Sequence, residues 1–341
     1  MSADTPMRGR RVPGNLLLFG EYTVLEEGGL GLACAVAPHV ELQYIPARHL
    51  SVEGRLGRAG MRWRPHDRQE GSGVLSGACN YLAGRLTERG VEVEELRGKL
   101  IVDSSAFLTP SGTKRGFGSS AAAVVAVCAS LCDLAGITDE RERFTLAVEA
   151  HRAGQNGRGS GYDVAASYFG GIGLFRGGQR PEYRRTRLPW LRALSVQETG
   201  TPTSTPDAVA RYEEWKGTHD AEAREIHRRS NELVSSLVRT NRWERARELA
   251  LELQELGRRI GERIGVPSGG KGTGTGGGDA ATGQPGTVRG RSWQRDRDCR
   301  ICKAAGAGAE LVVCIEGSPE EPGDEIRTSP AGIDEEGCTW L

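Results

Sequence analysis

The segment Lys114-Arg115-Gly116-Phe117-Gly118-Ser119-Ser120-Ala121-Ala122-Ala123 runs from a glycine turn straight into an alanine-rich stretch of helical character. Such a turn suits a polyphosphate for three reasons. Glycines let the backbone come close to phosphate oxygens, the first-turn N–H groups of a helix lack intrahelical partners, and the helix dipole favours negative charge. The hydroxyls of Ser119 and Ser120 add ligands for phosphate or for Mg2+. The Gly-Lys-Ser/Thr ending of a Walker A loop is absent. Taken alone, a glycine turn ahead of a helix also serves as a plain helix start.

A second candidate is the run from Glu149 to Ala165, which holds Ser160, Gly161 and Asp163. It reads as a helix end, a glycine-rich turn and a new helix, so Ser160 and Asp163 fall near a helix N-terminus where donors and a carboxylate can face one anionic ligand. Asp163 reads equally as a helix-capping acid. Glu149 is a candidate metal ligand together with Ser120, or else a helix-surface carboxylate. His151 sits inside this run and reads as a packing or hydrogen-bonding residue, and the six histidines show no ligand spacing. Cys299 and Cys302 form a CxxC without a second pair, which fits two strand thiols better than zinc.

The elements that must position these groups follow from the hydrophobic pattern. Short apolar runs at Leu16–Phe19, Leu32–Val36, Val40–Ile45 and Leu100–Val102 predict a mixed sheet. Helices are predicted over Val74–Arg89, Ser119–Ala135, a segment opened by Thr138, and a late amphipathic pair over Ala221–Thr240 and Trp243–Ile264. From Val266 to Arg291 glycine, threonine and serine dominate, as in a loop or insertion. Cys299–Lys303 and Glu310–Ile315 predict two further strands, and the acidic, Pro/Gly-rich residues after Ser318 predict a mobile tail.

The 341 residues carry 45 basic and 45 acidic side chains, so no net field favours a nucleic acid or an anionic membrane. No apolar run approaches the ~20 residues of a membrane span. Thiols scattered singly or within apolar runs fit a reducing compartment, and the expectation is a cytoplasmic protein, monomer or homodimer.

Three segments in order resemble the motifs of the GHMP kinase superfamily. Lys114–Ala123 is similar to its phosphate-binding second motif. Pro13-Gly14-Asn15-Leu16-Leu17-Leu18-Phe19-Gly20-Glu21-Tyr22 resembles the first, and Cys302-Lys303-Ala304-Ala305-Gly306-Ala307-Gly308-Ala309-Glu310 the third. Lys271–Asp279 is a rival for the third motif. The 303–310 loop is preferred because apolar strands flank it. Asp163 falls where the family keeps its active-site aspartate. The AHxxxQ and GSGxDVA stretches, with Thr199-Gly200-Thr201-Pro202-Thr203-Ser204-Thr205, resemble the phosphomevalonate kinases within the superfamily.

The resemblance implies an α+β, two-lobed fold: an N-terminal mixed-sheet, ribosomal S5-like domain over 1–175, a C-terminal helix-plus-antiparallel-sheet domain over 176–317, and a tail over 318–341. It implies ATP and Mg2+ as cofactors. Gly116, Gly118, Ser119, Ser120 and Ala121 would hold the triphosphate, and Ser120 with Glu149 the metal. Asp163 and Lys114 would be catalytic. Asn15, Glu21, Tyr22, Ser160, Gly161, Ser204, Thr205, Lys303, Gly306 and Gly308 would face a small anionic substrate, phosphomevalonate or mevalonate. Many family members have Lys at the position of Asn15. An alcohol acceptor needs a base with a cation nearby, whereas a phosphate monoester is already an oxyanion near pH 7. The implied reaction is phosphorylation of 5-phosphomevalonate. The alternatives are a mevalonate or sugar kinase, or a diphosphomevalonate decarboxylase.

Overall fold

The computed structural model describes residues 9–67, 73–198, 205–266, 300–304, 311–317 and 333–340. Strand β1 (Arg10–Phe19) is buried at nearly every position. A continuous apolar run rather than an alternating one requires cover on both faces. Strand β2 (Leu30–Ile45) pairs with β1 antiparallel along most of its length. A hairpin of β3 (Ser51–Leu56) and β4 (Ala59–Trp63) leads into α1 (Val74–Glu88) and β5 (Lys99–Asp103). Then come α2 (Ser119–Leu134), α3 (Glu140–Gly154), α4 (Tyr162–Phe169), β6 (Ile172–Arg176) and β7 (Glu182–Arg185). Helices α2 and α4 both pack on β1 and β2.

The chain continues through β8 (Leu191–Glu198), α5 (Thr205–Thr218), α6 (Asp220–Arg239), α7 (Trp243–Arg263), β9 (Arg300–Ala304), β10 (Leu311–Gly317) and β11 (Thr339–Trp340). The large sheet runs β11-β1-β2-β5-β3-β4, with β6 and β7 branching from the other half of β2. Only β3 and β5 pair parallel within it, which makes it the mixed sheet expected. Strands β8, β10 and β9 form a separate antiparallel sheet.

Helix α2 is apolar all round, and every residue from Ala121 to Cys132 is buried, so it is a central core helix. Helices α6 and α7 instead carry one apolar stripe each, and Leu233, Leu237, Leu249 and Leu253 enter the same core as Leu16, Leu18 and Val124. A second, smaller core gathers Tyr22, Tyr212, Trp215, Ile226 and Ile260 beneath α5.

Four expectations change. A boundary at 175/176 would cut β6, and the first sheet extends through β7 to Arg185. The tail is not mobile throughout: residues 333–340 dock on the first sheet, where β11 pairs with β1, Ile333 bridges Val36 and Asp334 meets His39 Nε2 at 2.6 Å. Composition alone misses this, because the free edge of β1 supplies the backbone partners. The third helix is capped by Asp139, whose Oδ1 accepts from the Glu142 amide at 2.7 Å, rather than opened by Thr138. Helix α5 lies outside the helices expected from periodicity. Among the described residues no helix is long and apolar enough to cross a membrane.

Candidate active site

The glycine turn before α2 sits on β1. A bulge in the β1–β2 pairing falls between Pro13 and Gly14, and a Cβ at Gly14 would lie 2.6 Å from the Phe117 carbonyl oxygen. The next amide, of Asn15, donates to that same oxygen at 2.9 Å. Gly118 is the N-cap of α2 in the left-handed region at φ 71°, and a Cβ there would lie 2.2 Å from Asn15 Nδ2. Two close approaches therefore make glycine obligatory at both ends of the contact. Ser119 and Ser120 follow in the first turn, half-buried, with Ala121 fully buried behind them.

Helix α4 begins in the same manner, with Gly161 at φ 92° as its N-cap and Asp163 in its first turn. The Ser160 hydroxyl accepts from the Tyr162 amide at 3.4 Å, and Asp163 Oδ1 accepts from the Val164 amide at 2.9 Å. The loop before the helix is held by Arg152, whose guanidinium donates to the carbonyls of Gly159, Ser160, Gly178 and Gln179. Burial pulls the Arg152 pKa below its ordinary value, against the opposing charges of Asp163, Glu149 and Glu27.

The two helix starts meet at His151. Its ring is 2 % exposed. Nε2 lies 3.4 Å from Ser120 Oγ and 3.1 Å from Gln155 Nε2, and Nδ1 lies 3.5 Å from Asp163 Oδ2. The structure thus brings Ser120 and Asp163 to one imidazole, and His151, Arg152 and Gln155 join the candidate set. The spacing of His151 and Gln155, four residues apart on a helix, is the signal that placed them on one face.

Other expected residues lie elsewhere. Asn15 is 3 % exposed, and its amide donates to the Gly118 carbonyl at 3.3 Å and to Ser167 Oγ at 3.0 Å, so it braces the turn instead of facing substrate. Tyr22 stacks on Tyr212 with ring centroids 5.3 Å apart, inside the second core, where burial raises its pKa. Glu21 lies against α7, about where a Cβ on Gly257 would come 3.7 Å from its Oε2. Lys114 is exposed on the strand-like segment bridged to Leu108. Lys303 is in β9, opposite Val313, and Thr205 opens α5. Ser204, Gly306, Gly308, Cys299 and the rival loop 271–279 lie outside the described residues.

Ser120 and Glu149 are the residues that would hold the Mg2+ implied by the resemblance. Glu149 Oε2 accepts from the Tyr81 hydroxyl of α1 at 2.8 Å. Among the described residues no group of three or more acidic, cysteine or histidine side chains could hold a metal ion.

Comparison with known proteins agrees with this architecture. Residues 74–171, from α1 to the end of α4, match the GHMP kinases N terminal domain. The chain is 28 % identical over 277 residues to a phosphomevalonate kinase of Streptomyces sp. (strain CL190), covering 68 % of this chain and 71 % of that one. It is also 28 % identical over 280 residues to a mevalonate kinase of Archaeoglobus fulgidus, covering 78 % and 88 %. In fold it is similar to a Streptococcus pneumoniae phosphomevalonate kinase solved with phosphomevalonate and AMPPNP, at TM-score 0.68, 15 % identity, and coverage of 92 % and 93 %. A glycine-started core helix on a mixed sheet, matched by the family model across α1 to α4, identifies residues 74–171 as a GHMP kinases N terminal domain.

Proposed function

We propose that the protein transfers the γ-phosphoryl group of ATP to 5-phosphomevalonate, giving 5-diphosphomevalonate and ADP. The observation that carries this reading is the meeting of Ser120, at the start of α2, and Asp163, at the start of α4, on the His151 ring. Phosphoryl transfer asks a protein chiefly for positioning and charge stabilisation. The first-turn amides of α2 and the Gly116–Gly118 backbone would receive the triphosphate, with Ser119 and Ser120 as hydroxyl ligands. Asp163, Ser160 and the Gly161 turn would orient the acceptor. An acceptor phosphate oxygen attacks the γ-phosphorus as the bond to the β–γ bridging oxygen breaks, and ADP carries that oxygen away.

The choice of acceptor rests on Asn15. Its amide is buried and occupied by Gly118 and Ser167, so β1 offers no cation at this position to activate an alcohol. A phosphate-monoester acceptor already carries its oxyanion. The relation to a phosphomevalonate kinase supports the same choice. Lys114 and Lys303 are the candidate cations of this reading.

Release of ADP is the direct assay, run against 5-phosphomevalonate, mevalonate, galactose and homoserine. The expected result is a kcat/KM for 5-phosphomevalonate about 100-fold or more above mevalonate, the discrimination of a site built around a polar group that the poorer substrate lacks. Preference for mevalonate would overturn the acceptor assignment. Carbon dioxide release from diphosphomevalonate would make the chain a decarboxylase.

A further inference from the structure

We infer that His151 is a positioning residue which locks the acceptor-side carboxylate of Asp163 to the phosphate-side hydroxyl of Ser120, so that both halves of the site move as one. This rests on the kinase reading above and deepens it. The Gln155 side-chain nitrogen can only donate, so the His151 Nε2 that it faces at 3.1 Å accepts. In the neutral ring the proton is then on Nδ1, 3.5 Å from Asp163 Oδ2. The single lone pair of Nε2 is shared between the Gln155 amide at 3.1 Å and the Ser120 hydroxyl at 3.4 Å.

The contacts of 3.4 and 3.5 Å are longer than ordinary hydrogen bonds, and catalytic contacts often tighten in the Michaelis complex. Burial leaves the ring little room to turn. The Gln155 amide comes from the same helix one turn later and fixes the ring plane. Arg152, also on α3, holds the Gly159 and Ser160 carbonyls that lead into α4. One helix therefore governs both the turn carrying Asp163 and the ring that faces it. His151 has no contact with reacting atoms in this arrangement. Its part is to set the angle and spacing of the two groups that do.

The test uses the full chain with His151→Ala, His151→Asn and His151→Gln, assayed for ADP release with 5-phosphomevalonate beside thermal melts. Loss of a residue that orients a catalytic group typically costs about 10–100-fold, and that fall is expected in kcat of the alanine variant, with KM for ATP nearly unmoved. The asparagine amide stands where Nδ1 stands, so His151→Asn should recover part of the loss, while His151→Gln, which reaches Ser120 and abandons Asp163, should not. Adding His151→Ala to Asp163→Asn should lower kcat no further, since the two act as a unit.

Full kcat in the alanine variant, alongside an impaired Asp163→Asn, would overturn the inference and spare the kinase reading. A loss that merely tracks the unfolded fraction in the melts would also overturn it. Full activity in Asp163→Asn, or no turnover of 5-phosphomevalonate at all, would instead remove the kinase reading. In that event nitrogen-15 spectra of the imidazole still decide the pairing: a ring protonated at Nδ1, and perturbed by Asp163→Asn, is expected. A ring protonated at Nε2, or one indifferent to Asp163, would refute the bridge.

Discussion

Helix α3 and helix α2 begin in opposite ways. Asp139 closes the first turn of α3 with its own carboxylate, on an exposed surface, as helices of soluble proteins commonly begin. Helix α2 begins behind Gly118, which has no side chain to offer and is pressed against Asn15. Helix α4 stands between them, with a glycine N-cap but with Ser160 and Asp163 accepting from its first amides. A capped start serves stability alone. A glycine start gives up that gain and leaves backbone donors open to an anion, as a polyphosphate at the α2 turn would require.

This contrast can be broken by substitution. Asp163→Asn should produce the largest effect, a fall in kcat of about 100-fold to 10,000-fold with an unchanged melting temperature, as for loss of a positioned acid or base. Near-normal turnover of ADP would reduce Asp163 to a helix cap. Gly118→Ala should follow: left-handed backbone and the contact with Asn15 together should cost about 2 kcal/mol or more in denaturant unfolding, and AMPPNP affinity by calorimetry should fall at least about 10-fold. Normal AMPPNP binding there would remove the phosphate from the α2 turn.

Asn15→Ala would take one donor from the Gly118 carbonyl, which keeps the Ala122 amide, and the Asn15 donor from buried Ser167, at about 1–3 kcal/mol in the same unfolding measurement. Its KM for 5-phosphomevalonate should stay near the parent value if Asn15 braces the turn, and rise if Asn15 touches substrate. Smallest should be Asp139→Ala, about 1 kcal/mol of stability with kcat intact. An activity loss there would erase the distinction between the helix starts.

Much of this was legible from residue patterns. The unbroken apolar run from Ala121 to Cys132 marks a buried helix, and the three- and four-residue spacing in α6 and α7 marks a pair with one inward stripe. Gly116 and Gly118 were equally plain, since few residues tolerate their backbone angles. Asn15 was misread as a substrate contact because its partners, Gly118 and Ser167, are more than a hundred positions away in the chain. Helix α5 escaped because its stripe is short, only Ala208, Tyr212 and Trp215, and its core partners Tyr22 and Ile260 are remote in the chain.

Local chemistry determined the helix starts, the strand runs and the glycine turns, since each depends on backbone preference and on polarity within a few residues. Tertiary structure alone decided that β1 lies beneath the glycine turn, that residues 333–340 complete its free edge, and that Ser120 and Asp163 meet at one histidine ring. Those are contacts between segments distant along the chain. They are selected by burial and by complementary donors and acceptors in a shared core, which no local spacing records.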